Sequence, residues 1–133
     1  MAVFKISLKE IGRRYGSATP QRQFLFERLQ TMAQWLHDSG QVKRIYLFGS
    51  FLTSAPMPND VDLFVVMASG FTSEGLKEPL ASVFSHERCR IRYTIDVFWV
   101  TEAVGSEAIE GLVDVFSSDR SQRPQGIVEV ALE

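Results

Sequence analysis

The spacing of hydrophobic positions changes several times along this chain. Between residues 20 and 39, apolar residues recur at steps of four, three and four, which is the spacing of one helix face. Thr19 can cap such a helix, and Pro20 suits its first position because the N–H that proline lacks would have no partner there. We therefore predict a helix packed on a core. Its apolar stripe consists of Leu25, Leu29, Met32 and Leu36.

Three further segments have the pattern of strands in a central sheet. Residues 44–48 are mainly apolar, and residues 60–67 are apolar on both faces beyond two acids, which indicates a strand covered on both sides. Residues 91–100 alternate, with Ile91 and the residues at steps of two from it on one face. A fourth strand, rich in β-branched residues, is predicted at 126–132, paired at a sheet edge.

The remaining segments complete the fold prediction. Residues 4–8 alternate as in a short half-buried strand, and the LKEIGRRYG run after them either stays extended or forms a short helix. Helices are predicted over about 77–86 and over 101–116. The predicted fold is α/β, a single domain over residues 1–133. Its mixed sheet of about four or five strands is flanked by helices, mainly on one face.

Composition narrows the class of protein. With 133 residues, 45% of them apolar and 23% charged, the chain has the size and balance of a single globular domain. A formal net charge of −2 argues against a protein that follows a nucleic-acid backbone, although it leaves open a nucleic-acid acceptor approached locally. The one cysteine, Cys89, excludes an intrachain disulfide. Because neither a bilayer-spanning run nor a signal peptide is apparent, we expect a cytoplasmic protein without a membrane partner.

Two acidic residues begin the strand predicted at 60–67. Asp60 and Asp62 are two residues apart, so on a strand both carboxylates would point to the same place. Like charges held so close repel and raise each other's pKa unless a cation lies between them. The pair is therefore a candidate site for a divalent metal. The alternative is a pair of solvated acids that discourages edge pairing at a strand end.

A Gly-Ser turn follows the strand predicted at 44–48. Gly49 allows the backbone to approach a ligand closely, and the hydroxyl of Ser50 with the neighbouring N–H groups can bind phosphate oxygens. A phosphate site and a metal site would then be neighbours.

The strand predicted at 91–100 carries Arg92 and Asp96 on one face, because they are four residues apart. The polar residues on this face could line the site, and Arg92 is then a candidate ligand for a triphosphate. The alternatives are the wet side of an antiparallel strand and a surface arginine. Arg120 and Arg123 could also reach a phosphate, although a solvated connector is the simpler interpretation of their loop.

Together these motifs resemble a known signature. An apolar strand, Gly-Ser, nine intervening residues and Asp-apolar-Asp-apolar are similar to the pattern of the DNA polymerase beta-like nucleotidyltransferase superfamily. That superfamily uses a third carboxylate on a neighbouring strand, and the matching residue is Asp96. More narrowly, most of the chain, from RRYG through LFGSF and PNDVDLFVVM to GIVEV, resembles small bacterial nucleotidyltransferase-like domains. The signature positions are Gly49, Ser50, Asp60, Val61, Asp62 and Leu63.

The resemblance implies a reaction and a set of roles. Asp60, Asp62 and Asp96 would be catalytic and would bind Mg²⁺ or Mn²⁺, two ions with the bound nucleotide. Gly49 and Ser50 would position the β- and γ-phosphates. The implied activity transfers a nucleoside monophosphate, most simply AMP from ATP, to a hydroxyl on a protein, RNA or small molecule, and releases pyrophosphate.

The acceptor and the partners stay open. Relatives of this kind generally add a helical domain for the acceptor, for which this chain has no residues left. A homodimer or a partner chain would then complete the site, as in small nucleotidyltransferases of toxin–antitoxin pairs. Two alternatives are a non-catalytic, antitoxin-like protein that holds a partner and a metal-dependent phosphohydrolase that uses water as the acceptor.

Overall fold

A five-stranded mixed sheet forms the centre of the computed structural model, which describes residues 3–118 and 126–131. The strand order is β1-β5-β2-β3-β4. β2 is antiparallel to both of its neighbours, whereas the β1–β5 and β3–β4 pairs are parallel. The predicted α/β fold with a mixed sheet is confirmed. The strands are β1 (Lys5–Ser7), β2 (Val42–Phe48), β3 (Val61–Met67), β4 (Ile95–Thr101) and β5 (Ile127–Ala131).

Helices cover the two faces of the sheet unequally. Residues of α1 to α4 pack on one face of the sheet, here called the first face, and form one core with it. α5 packs on the opposite, second face and forms a smaller core. Within the described ranges, each helix is too short or too polar to cross a membrane. The helices are α1 (Leu8–Tyr15), α2 (Pro20–Asp38), α3 (Leu80–Val83), α4 (His86–Tyr93) and α5 (Ser106–Phe116).

The longest helix, α2, has the stripe that its spacing predicts. The four stripe residues from Leu25 to Leu36 are 0% exposed and pack on the first face of the sheet. Complete burial of one such side chain contributes roughly 1.5 to 3 kcal/mol, so the stripe is a major source of stability. The Thr19 hydroxyl caps the helix by accepting a hydrogen bond from the Arg22 N–H at 3.2 Å.

The prediction of a strand over 91–100 is wrong in its first half. Residues 86–93 form α4, which ends where Thr94 adopts a left-handed conformation with φ 59°, and β4 begins only at Ile95. The alternation around Ile91 did not mark a buried strand face, because this side chain is 75% exposed on the helix.

Two other predicted boundaries change, and so does the position of one strand in the sheet. The helix expected over 77–86 shrinks to the single turn of α3, and the helix expected over 101–116 begins only at Ser106, after one turn of 3-10 helix. The strand near the C-terminus is not at an edge, since β5 lies between β1 and β2. The run after β1 forms a helix, and the Ser7 hydroxyl caps it.

A buried arginine fixes the loop that connects the Gly-Ser turn to β3. Arg22 is 3% exposed, and its guanidinium donates five hydrogen bonds of 2.6 to 3.0 Å to carbonyl oxygens. Burial lowers the pKa of Arg22 from its ordinary value, and the carbonyl dipoles solvate the charge in place of water. The side chains of Thr19 and Gln21 donate further bonds, each of 3.0 Å, to the carbonyls of Pro56 and Pro58. The accepting carbonyls for Arg22 belong to Tyr15, Phe51, Thr53 and Ala55.

The substitution Arg22→Met is expected to lower the free energy of unfolding by roughly 3 to 5 kcal/mol, because four partly buried carbonyls lose their donor. Urea unfolding followed by circular dichroism measures this loss. Arg28→Met is the matched control on the same helix, where the guanidinium lies over the Phe24 ring, and it should cost less than about 1 kcal/mol. Equal losses in the two variants would contradict the assigned role of Arg22.

Candidate active site

Three carboxylates converge at one end of β3 and β4. Asp62 and Asp96 are direct partners in the parallel pairing of the two strands, and Asp60 lies just before β3. One oxygen from each carboxylate can be chosen so that all three lie within 4.8 Å of one another. The structure therefore brings Asp60, Asp62 and Asp96 together as expected from the sequence, whereas their binding of metal stays a prediction.

The most buried of these acids has an oxygen without a hydrogen bond. Asp96 is 9% exposed, and its Oδ1 accepts no hydrogen bond within the described part of the chain. Nε2 of His86 lies 3.7 Å from this oxygen and Nε of Arg90 lies 3.8 Å from it, both beyond hydrogen-bond distance. Buried polar atoms are almost always paired, so this oxygen marks a position for a ligand.

Burial and mutual repulsion raise the pKa of Asp60 and Asp62. Burial is the largest cause that raises the pKa of Asp62 to about 7, followed by the charges of Asp60 and Asp96. The pKa of Asp60 is also raised, first by burial and then by its hydrogen bond with Asp96. A divalent cation would relieve this repulsion, and an all-carboxylate set of donors is the chemistry that Mg²⁺ and Mn²⁺ prefer. The residues thus fit the implied metal.

The glycine of the Gly-Ser turn touches this cluster. Gly49 has φ 86° and ψ −159°, a conformation that side chains other than hydrogen rarely allow. A Cβ atom at this position would overlap with Oδ2 of Asp62. The backbone and the carboxylate can therefore pack together only because residue 49 is glycine.

The serine of the turn begins one turn of 3-10 helix, Ser50–Leu52. Its carbonyl accepts hydrogen bonds from the N–H of Thr53 at 3.1 Å and from the Thr53 hydroxyl at 2.7 Å. The Ser50 hydroxyl makes no hydrogen bond with any other described residue, and its side chain is only half buried. This hydroxyl, one residue after Gly49, keeps its capacity to bind an oxygen of a ligand. Its contact with phosphate stays a prediction.

The other predicted ligand, Arg92, lies elsewhere. On α4, its Nη1 donates to the Ser82 hydroxyl at 3.0 Å and lies 3.6 Å from a carboxylate oxygen of Glu78. The sequence pattern placed Arg92 beside Asp96 on one face of a strand. That placement is wrong, because residue 92 is helical. Its role as a nucleotide ligand stays a prediction that no contact in the structure supports. Positions 120 and 123, the other arginines considered, fall outside the described residues.

The sequence pattern did not identify two residues beside the carboxylates as site residues. His86 and Arg90 are one turn apart on α4, and both approach Asp96. Their spacing of four would have placed them on one face if the segment had been interpreted as a helix.

Comparison with known proteins identifies a family without a known function. The chain belongs to the family of unknown function DUF6932, whose profile matches residues 2–131. No match was found among curated proteins or among solved structures. The functional argument therefore depends on the chemistry of the site.

The substitution Gly49→Ala should lower the free energy of unfolding by more than about 3 kcal/mol, because backbone strain and the overlap with Asp62 add. Gly40→Ala is the control: it has φ 68° but open space around its Cβ, so it should cost only roughly 1 to 2 kcal/mol. Chemical unfolding of both variants provides the comparison. A similar cost for both would show that the close approach to Asp62 does not constrain residue 49.

Substituting Asp62 by asparagine should stabilise the metal-free protein at pH 8. Because the pKa of Asp62 is about 7 in the folded chain and about 3.8 when unfolded, wild-type stability falls as the pH rises from about 4 to about 7. With a discount for partial exposure, the variant should gain roughly 1 to 3 kcal/mol above pH 7, and no difference should remain below pH 4.

Thermal unfolding in chelator across this pH range measures the difference. An exposed acid of α5 provides a control, Glu110→Gln, in which the same rise should be absent. A gap between wild type and Asp62→Asn that does not change with pH would contradict the assigned cause.

Proposed function

We propose that this member of the family is a metal-dependent nucleotidyltransferase, which moves a nucleoside monophosphate, most simply AMP from ATP, to an acceptor hydroxyl. The observation that carries the proposal is the unpaired, buried Oδ1 of Asp96 within a cluster of three carboxylate groups. The Gly-Ser turn packed against the same cluster gives further support. The resemblance to the DNA polymerase beta-like superfamily supplies the reaction class.

Asp60, Asp62 and Asp96 would hold Mg²⁺ or Mn²⁺. In sites of this kind the cations, two of them with bound nucleotide, neutralise the charge that develops on the phosphoryl group in transfer. Asp62 must lose its proton to take part, because its pKa of about 7 leaves it partly protonated near neutral pH. Cation binding is therefore coupled to proton release.

The other residues would act on the phosphates and on the acceptor. Gly49 allows a phosphate to approach the backbone, and the Ser50 hydroxyl donates to a phosphate oxygen. As the acceptor oxygen bonds to the α-phosphorus, the bond to pyrophosphate breaks and Asp96 takes up the hydroxyl proton. Phe98, on the same face of β4 and 38% exposed, offers apolar surface beside this point for a base or an acceptor.

A second copy of the chain or a partner protein would complete the acceptor site. The acceptor is a hydroxyl on a protein, RNA or small molecule. The composition and the described elements are compatible with a cytoplasmic location, which also belongs to the proposal.

The test is a calorimetric titration of the full chain with ATP, GTP, CTP and UTP, in magnesium and in chelator. Wild type should bind nucleotide only with magnesium, and Asp62→Asn should weaken this binding by at least about tenfold, because one metal ligand is lost. Glu110→Gln is the control for an acid removed outside the site.

Nucleotide labelled at the α-phosphate then separates the reaction classes. Transfer of the label with release of pyrophosphate supports a nucleotidyltransferase, whereas release of phosphate without transfer indicates a phosphohydrolase. Binding that is absent with every nucleotide, or unchanged in Asp62→Asn, would contradict the proposal and favour a partner-binding scaffold.

A further inference from the structure

One arginine of α4 faces the carboxylate cluster. Nε of Arg90 lies 3.8 Å from Oδ1 of Asp96. Its positive charge also lowers the pKa of both Asp60 and Asp62, which opposes the effect of burial. The guanidinium therefore lies within the electrostatic range of all three acids.

This guanidinium has unused hydrogen-bonding capacity. At 3.8 Å its contact with Asp96 is not a hydrogen bond, and its side chain, 65% exposed, donates to no group among the described residues. Arginine has five N–H donors in a planar fork that matches the oxygens of phosphate. By contrast, Arg88 and Arg92 on the same helix lie 3.7 Å and 3.6 Å from Glu78.

Backbone hydrogen bonds fix the position of residue 90. The Arg90 carbonyl accepts a hydrogen bond of 3.1 Å from the N–H of Thr94, whose own carbonyl accepts one of 3.2 Å from Val61 at the start of β3. Residue 90 is therefore tied to the end of the sheet where the carboxylates lie. The exposed guanidinium of Arg90 can move, whereas the neighbouring His86 ring is packed against Phe98, with 5.2 Å between the ring centroids.

We propose that Arg90 binds the terminal phosphates of the nucleoside triphosphate at this site. The inference rests on the proposed function, because it assigns a ligand contact to the same site. Without nucleotide, Arg90 is attracted by the acids. When divalent cations neutralise the acids, that attraction is lost, and the triphosphate becomes the nearest strong anion for the guanidinium.

The two roles available to Arg90 predict effects of different sign. A residue that only balances the acids competes with a cation, so its removal should tighten the binding of metal and of metal–nucleotide alike. A residue that binds phosphate should, when removed, tighten or leave unchanged the binding of Mn²⁺ alone but weaken the binding of ATP.

The experiment titrates Arg90→Ala in the full chain, first with Mn²⁺ alone and then with ATP and AMP in saturating magnesium. We expect ATP affinity to fall roughly 10- to 100-fold, AMP affinity to stay within about threefold, and Mn²⁺ affinity not to fall. Arg90→Lys should restore part of the ATP affinity, since it keeps the charge without the fork. Arg88→Ala is the matched control and should bind ATP as wild type does.

Three results would overturn the inference. Unchanged or tighter ATP binding in Arg90→Ala, with wild type binding ATP, would leave the proposed function intact and reduce Arg90 to a charge-balancing role. A loss of ATP affinity in Arg92→Ala but not in Arg90→Ala would indicate that Arg92, the residue expected from the sequence, makes the phosphate contact. Wild type that binds Mn²⁺ but no nucleotide would overturn the proposed function together with this inference.

Discussion

The parallel pairing of β3 with β4 is the constraint on which the site depends. Its register places Asp62 directly opposite Asp96, although like charges in that position repel. The apolar residues further along the same pair favour this register, because a shift of one residue would exchange the side chains that face the two cores. Leu63 and Val97, also register partners, are almost completely buried. The core thus imposes an arrangement that electrostatics alone would disfavour.

A second constraint holds the Gly-Ser turn against these acids. The loop after Gly49 contains two prolines and little regular structure. The Arg22 guanidinium nevertheless donates hydrogen bonds to carbonyl oxygens of this loop. Long loops are usually mobile, whereas this one is tied at several points to the N-terminal end of α2. The turn and the carboxylates therefore belong to one preorganised unit, which a phosphate-binding site requires.

The sequence predicted the parts of this unit that depend on local pattern. The α2 stripe, β3 and the Asp60–Asp62 pair follow from periodicities of about four and two residues, which the cores then preserve. The helical segment before Asp96 was missed because its alternation imitates a strand over a few residues and its apolar Ile91 is not buried. The role of Arg22 could not be predicted, because most of its partners are carbonyls far away in sequence, which no local pattern reveals. The approach of Arg90 to Asp96 was missed for a different reason, since the segment that contains Arg90 was interpreted as a strand and not as a helix. Arg22 gave one signal, since it precedes Leu25 by three and lies on the buried face.

The electrostatic cost of the cluster is itself an argument about what the site does. Burial raises the pKa of Asp60 and Asp62, so ionisation near neutral pH opposes folding. A chain that only packed helices on a sheet would be more stable with an amide at position 62. Asp96 adds a second cost, because its buried Oδ1 has no hydrogen-bond partner among the described residues. Both costs would vanish if a cation neutralised the acids and contacted that oxygen, and the binding of such a cation would then stabilise the folded chain.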